Sequence, residues 1–441
     1  MILSDQPQET SRSHRLLNRM VQVRSDEVSA VLLSCLFIFC VLSSYYVLRP
    51  IRDEMGVAGG VDKLPWLFTG TLLAMLACNP LFAALVKRFP RQTFITVAYR
   101  FFMLNLLGFA AYIEYAPADD QIWAGRGFFI WTSVFNLFVV SVFWAFIVDI
   151  FDSEQGKRLF GLFSAGATLG AILGSSITAA LVQLIDQHYL FFVSIALLEV
   201  AVFAVHRLSK LSKGFHHDVP VETTPAEAPV GGSILAGFTH AFTSPYLLAI
   251  GGFMLLYSIT STIIYFQQAE IVRDAFTDRA ARTAFFANVD LVVNVLTLVL
   301  QIFVTGPVLR RFGVAVTLIA LPLISLLGFG LLAVLPTIAI LTCVQVARRV
   351  GNFAFARPSR EMLFTVLSRE DKYKTKNMLD TVVYRAGDQV GSWSYAAMGA
   401  LGLKLAGIAV VAVPLCAIWV WLSNWLGQRQ QQREAEAAAK T

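Results

Sequence analysis

The 441-residue chain is 56% hydrophobic and only 15% charged, with 35 Phe and a mean hydropathy of +0.65. That balance excludes an ordinary soluble protein, in which roughly 25% of residues carry charge. The net charge of +6 is spread among long apolar runs, so it does not mark a nucleic-acid binder.

Runs of the roughly 20 apolar residues that cross a hydrocarbon core as a helix recur at 28–48, 64–85, 94–114, 128–150, 159–184 and 188–205. They return at 245–266, 280–304, 313–335, 337–356, 377–402 and 404–425. Backbone polar groups in lipid require helices or a closed barrel, and the ~10-residue alternating segments of a barrel do not occur. The sequence therefore predicts an all-α, twelve-span membrane protein in two six-helix bundles, 28–205 and 233–426. A cytoplasmic segment 1–27, a polar linker 206–232 carrying Pro220, Pro225 and Pro229, and a cytoplasmic tail 427–441 complete it. Arg12, Arg15, Arg19 and Arg24 precede a first span too long for a secretory signal, so the N-terminus is expected to be retained. Cys35, Cys40, Cys78, Cys343 and Cys416 all fall in spans without a metal-type spacing and read as small buried residues.

Charges within spans are costly, about 2.5–3.5 kcal/mol each at mid-membrane, and mark cavities or partners. Span 1 ends in Tyr45-Tyr46-Val47-Leu48-Arg49-Pro50-Ile51-Arg52-Asp53-Glu54. Tyr45, Arg49 and Arg52 share one helical face, and Pro50 is expected to kink or open the helix there. Two readings fit: a cationic clamp for phosphate or carboxylate, or interface residues paired with Asp53 and Glu54. Arg100 in span 3 either reaches a cavity or snorkels. Asp149 closes span 4, and Gly166, Gly170 and Gly174 in span 5 read as close helix packing. Glu199 in span 6 and Glu270 after span 7 are further acids. In span 8, Asp290, Asn294, Thr297 and Gln301 line one face, with Asp290 either a coupling carboxylate or the counter-ion of an arginine. Arg348 and Arg349 in span 10 cannot both snorkel, and Gln345, Arg348 and Asn352 form a polar stripe, which favours Arg348 as the cavity residue. Span 11 carries Asp380, Tyr384, Arg385 and Asp388, the last two spaced to neutralise each other.

With the N-terminus in the cytoplasm, inner segments hold a roughly three-to-one excess of Lys and Arg, so both termini are expected to be cytoplasmic. The halves also echo one another. Val86-Lys87-Arg88-Phe89-Pro90 matches Leu309-Arg310-Arg311-Phe312-Gly313, Arg52-Asp53 matches Arg273-Asp274, and Gly170-x-x-x-Gly174 matches Gly387-x-x-x-Gly391, all at nearly constant offset. A duplicated six-span unit with a central site resembles the major-facilitator arrangement, whose Asp-Arg-x-Gly-Arg loops carry Lys87 and Pro90 here in place of the Asp and Gly.

Leu48-Arg49-Pro50-Ile51-Arg52-Asp53 further resembles the Leu-Arg-x-x-Lys-Asp end of span 1 in the non-mitochondrial ATP/ADP translocases, the nucleotide transporters of plastids and intracellular bacteria, with their bacterial relatives. Lys372-Tyr373-Lys374-Thr375-Lys376-Asn377-Met378-Leu379-Asp380 is similar to that family's Lys-x-Lys-x-x-(Ile/Leu)-Asp segment before span 11, and the stretch from Phe143-Trp144 to Gly174, with Asp149, Lys157 and Arg158, is similar in layout. The resemblance implies a carrier for nucleotides or related phosphorylated anions, with Arg52 and Lys376 at transport positions and Glu270 as an acid; Arg52 stands where the family has lysine. The expected protein is a bacterial inner-membrane carrier in a lipid bilayer, working as a monomer without cofactor or metal on a small anion. The alternative is a proton-coupled importer or exporter using Asp290 or Asp149. No H-E-x-x-H, G-x-S-x-G or P-loop sequence supports an enzyme.

Overall fold

The computed structural model describes residues 27–151, 153–215, 244–367, 376 and 379–438. The basic N-terminal segment, most of the linker and most of the stretch before span 11 lie outside them.

The first half contains α1 (Val28–Ala58), α2 (Leu64–Arg88), α3 (Arg91–Tyr115), α4 (Ala118–Ile150), α5 (Ser153–Leu181) and α6 (Leu190–Phe215). The second contains α7 (Pro245–Ala275), α8 (Arg279–Leu300), α9 (Gly306–Val334), α10 (Ile338–Gly351), α11 (Arg357–Leu363), α12 (Tyr384–Ala400) and α13 (Leu405–Ala438). Short π-helical turns at Gln301–Thr305, Asn352–Ala356 and Leu379–Val383 join α8 to α9, join α10 to α11 and lead into α12. Ten of the described helical stretches are long and apolar enough to cross a membrane. One runs 56 residues, Arg279–Val334, which at 1.5 Å per residue is far longer than a ~30 Å core. It divides at Gly313, whose φ of 73° is open to glycine at little cost. The polar stretch 379–400 is also of crossing length.

Three expectations shift. The α1 helix runs through Pro50 without interruption and stops at Gly59–Gly60, where Gly60 takes φ 98°. The sequence after position 427 continues α13 to Ala438, and α6 extends past residue 205 to Phe215.

Within the first half α1 packs on α4, α5 and α6; within the second, α7 packs on α12 and α13. The matched glycines explain the pairing. A Cβ on Gly170 or Gly174 would strike the carbonyls of Phe39 and Ser43 on α1, and one on Gly391 would sit 3.0 Å from the Ile259 carbonyl on α7. Serine hydroxyls seal both seams: Ser43 donates to the Gly170 carbonyl at 2.9 Å, and Ser258 to the Tyr384 carbonyl at 2.8 Å. The repeat read in the sequence is thus a repeat of backbone-to-backbone packing. Phenylalanines fill the first half, as in the T-shaped Phe37–Phe143 and stacked Phe128–Phe191 pairs. Leu104, Leu327 and Trp421 stand more than half exposed on the outer wall, where lipid is the solvent. The halves meet along α1 and α5 against α8, α1 against α7, and α2 against α12.

Candidate functional site

Between the halves lies a chamber of about 580 Å3. From the first half, α1 supplies Tyr45, Tyr46, Arg49 and Arg52, α2 supplies Phe68, and α4 supplies Ser133, Asn136 and Ser141. From the second come Tyr257, Ser261 and Tyr265 of α7, Gln345, Arg348 and Arg349 of α10, Asn352, Arg357 of α11, and Tyr384, Arg385 and Asp388 of α12. Six arginines therefore face one space.

Their partners differ. Asp290, 2% exposed on α8, places one oxygen 2.6 Å from Arg349 and 3.3 Å from Arg49, so this carboxylate joins the two halves. Its second oxygen, Asn294 Nδ2 and Arg349 Nη2 have no hydrogen-bond partner among the described residues. Arg52 reaches Asp53 at 3.2 Å and stacks 4.0 Å over Phe129, while Tyr265 donates to Asp53 at 3.0 Å. Arg385 pairs with Asp388 at 3.1 Å, and Asp388 also accepts from Ser258 at 2.6 Å. Arg348 has no carboxylate partner among the described residues. It donates to the Thr260 carbonyl and hydroxyl at 3.1 and 3.0 Å and lies over Phe329. Arg357 likewise forms no ion pair among them and rests 4.7 Å over Phe353. Asn352 is fixed by the Tyr257 hydroxyl at 2.9 Å and Gln345 by Gln268 at 2.6 Å. Six guanidinium groups against Asp53, Asp290 and Asp388 leave the chamber cationic.

One end of the chamber is tied shut across the halves. Glu54 of α1, fully buried, accepts from Arg282 at 2.9 Å and Arg279 at 3.2 Å, both on α8. Gln187 approaches Thr283 at 3.3 Å, Thr69 of α2 donates to Gln389 of α12 at 2.9 Å, and Trp66 meets Trp393 edge-on at 4.9 Å. At the opposite end the ion pairs whose two members are both described stay within one half. Arg158 bonds Glu27 at 2.6 Å, Arg360 bonds Asp380 at 3.2 Å, and Lys376 pairs with Glu361.

Of the residues singled out from sequence, Tyr45, Arg49, Arg52, Gln345, Arg348, Asn352, Arg385 and Asp388 line the chamber, and Asp53 and Asp290 brace it. Arg100 does not: it sits on the outer wall, more than half exposed, paired with Glu199 at 3.0 Å, because its face of α3 meets α6 and lipid rather than the second half. Asp149 is exposed outside the chamber, Glu270 lies near the far end of α7, and Asp380 and Lys376 are engaged at the untied end. In span 8, Asp290, Asn294 and Thr297 are buried as one face, but Gln301 is exposed and donates to the Phe353 carbonyl. Arg349 was weighed beside Arg348 but not favoured, and Arg357 was not anticipated. Arg349 lines the wall beside Arg348, and Arg357, assigned to a loop, stays helical because the π turn carries span 10 onward. Among the described residues no cluster of His, Cys, Asp or Glu is placed to hold a metal.

Two helical halves around a cationic chamber tied at one end describe a multi-pass membrane transporter rather than an enzyme. Residues 28–368 match the profile of the Major Facilitator Superfamily, and the chain belongs to that superfamily. It is 21% identical to ADP,ATP carrier protein 1 of Chlamydia trachomatis over 95% of this chain and 93% of that protein. It is equally 21% identical to ADP,ATP carrier protein 2 of Chlamydia pneumoniae, over 98% and 95%. Among solved structures, the nucleoside transporter NupG superposes with a TM-score of 0.61 at 13% identity, covering 91% of this chain and 98% of that one. The xylose transporter XylE from E. coli, in an inward open conformation, gives 0.61 at 10% identity over 89% and 95%. Those likenesses establish the fold.

Proposed function

We propose that the protein is an alternating-access carrier for an organic anion of the nucleotide or phosphorylated-metabolite class, exchanging it across a bacterial inner membrane. The observation that carries this is Arg348: buried at 3% exposure, in the chamber wall, without a carboxylate partner among the described residues. A desolvated guanidinium without a counter-charge is unfavourable unless an anion completes it, and arginine's planar fork suits phosphate. Arg357, exposed toward the chamber and without an ion pair among the described residues, adds positive potential together with the flanking pairs of Arg49, Arg52 and Arg385. Tyr45, Tyr257, Tyr265 and Tyr384 offer ring faces on which a nucleobase stacks, at about 1–3 kcal/mol each. The chamber volume lies within the ~300–1,000 Å3 typical of small-molecule sites. The ADP,ATP carrier names of the chlamydial relatives favour the same substrate class.

The excess of Lys and Arg on inner segments supports an orientation with the tied end of Glu54 periplasmic, the chamber opening toward the cytoplasm and both termini cytoplasmic. Proton coupling has less support: Asp290 already neutralises two guanidinium groups, and Asp149 stands away from the chamber. Proteoliposomes loaded with unlabelled ADP and supplied with labelled ATP test the proposal. Saturable, counter-substrate-dependent uptake that Arg348→Gln abolishes is the expected result. Absence of uptake or exchange for every adenine nucleotide, guanine nucleotide and sugar phosphate tried would remove the anion reading.

A further inference from the structure

A second cationic pocket, of about 300 Å3, lies far from the chamber at the untied end. It is lined by Pro245 and Tyr246 of α7 and by Trp425, Arg429, Gln432, Arg433 and Glu436 of α13. Its walls are fixed. The Tyr246 ring is buried and its hydroxyl donates to the Leu363 carbonyl at 3.0 Å, while the Arg433 guanidinium lies 4.5 Å over that ring. Arg429 lies 5.6 Å from the Trp425 ring centre. The α13 helix is seated here because Gly427 lets it press on Ala315 of α9, and Leu426 and Gln430 are wholly buried. Neither arginine forms an ion pair among the described residues; Arg429 donates only to Gln432, at 3.1 Å. The N-terminus of α7, with no side-chain cap on Ser244, opens at the same place and adds partial positive charge.

What lies beneath the pocket identifies its ligand. Ile418, Trp421, Trp425, Arg429, Gln432 and Arg433 follow helical spacing down one face of α13. Ile418 and Trp421 are 53% and 64% exposed. A cationic pocket at the membrane surface therefore continues into an exposed apolar track within the bilayer. A soluble anion would use only the upper part of this surface; an amphiphile uses all of it. We propose that the pocket binds the phosphate of an anionic phospholipid between Arg429 and Arg433, with an acyl chain running down α13 past Trp421 and Ile418. Juxtamembrane arginines attract anionic lipid at about 1 kcal/mol each, and Trp and Tyr at the head-group level are the usual interfacial anchors.

Thermal unfolding of the purified chain in mild detergent, with added phosphatidylglycerol or phosphatidylcholine, tests this. Phosphatidylglycerol is expected to raise Tm by about 1–3 °C more than phosphatidylcholine does, and the doubly substituted Arg429→Gln, Arg433→Gln protein is expected to lose that difference. Arg429→Gln alone, at an exposed position, guards against misfolding of the double variant: native mass spectrometry is expected to show several-fold less retained phosphatidylglycerol. Undiminished retention in the single variant, or an undiminished Tm difference in the double, would overturn the site. Glycerol phosphate matching the lipid's effect at millimolar concentration would overturn the lipid assignment.

Discussion

The two ends of the chamber are held by different kinds of bond. At one end Glu54, Gln187 and Thr69 reach from the first half to Arg279, Arg282, Thr283 and Gln389 of the second. At the other end Arg158–Glu27 and Arg360–Asp380 each stay inside a half. Rigid halves that rock about a central site keep their internal bonds and exchange those at the seam. The asymmetry therefore separates what each half is made of from what merely holds this conformer. Asp290 lies between the two regions, bonded once within its half and once across.

Removing the seam carboxylate is the severest challenge to this contrast. Glu54→Ala leaves Arg282 buried without its counter-charge, a loss of about 3–5 kcal/mol, which shifts the equilibrium toward opening of that end by roughly 150- to 5,000-fold. A reporter at Val61→Cys, 4% exposed at the tied end, read in a background lacking the five native cysteines, is expected to be alkylated correspondingly faster. Unchanged alkylation would mean that Glu54 does not hold the seam. Arg348→Gln comes next: it leaves the seam intact and is expected to weaken substrate binding by about 2–3 kcal/mol, roughly 30- to 150-fold. Equal affinity in the variant, measured by titration calorimetry, would take the anion out of this wall.

Asp290→Asn has a smaller and more particular effect. Asp290 holds Arg49 across the seam and Arg349 within its own half. Under the proposed anion exchange, a bound anion would compete for the same guanidinium groups, so substrate would loosen this tie. The amide forms neither ion pair, and the empty carrier is then free to cross. Efflux without counter-substrate is expected to rise about tenfold, the scale of one 1.4 kcal/mol coupling, while exchange persists. If efflux remains strictly dependent on counter-substrate, this tie does not enforce exchange.

The sequence exposed the chamber's cations where one helix carried the whole signal. Tyr45, Arg49 and Arg52 follow helical spacing, and their charge is too costly for a lipid face; all three line the chamber. Asp290 was legible as an arginine's counter-ion for the same reason. Partners on other helices were not legible. Glu54 read as an interface acid beside Arg52, yet its arginines come from α8. Arg100 read as a candidate because local sequence does not say which face of α3 meets the second half. Arg357 was hidden by a π turn, which keeps span 10 helical past the point where hydropathy ends it. Composition and period fix the helices, whereas the site is made by which helices face each other.

The mildest test compares one hydroxyl bond from each class. Thr69 donates to Gln389 at 2.9 Å and accepts from the Trp393 indole at 3.2 Å, both across the seam. Ser43 donates to the Gly170 carbonyl at 2.9 Å, wholly inside the first half. A single bond of this kind contributes about 0.5–1.5 kcal/mol, so the size of the lesion is similar in Thr69→Val and Ser43→Ala. Its consequence differs. Thr69→Val is expected to speed alkylation at Val61→Cys about threefold, because the bond is lost only from the tied conformer. Ser43→Ala is expected to lower Tm and leave alkylation unchanged, since its bond survives in every conformer of an intact half. Equal acceleration by both variants would mean that the halves do not move as rigid units.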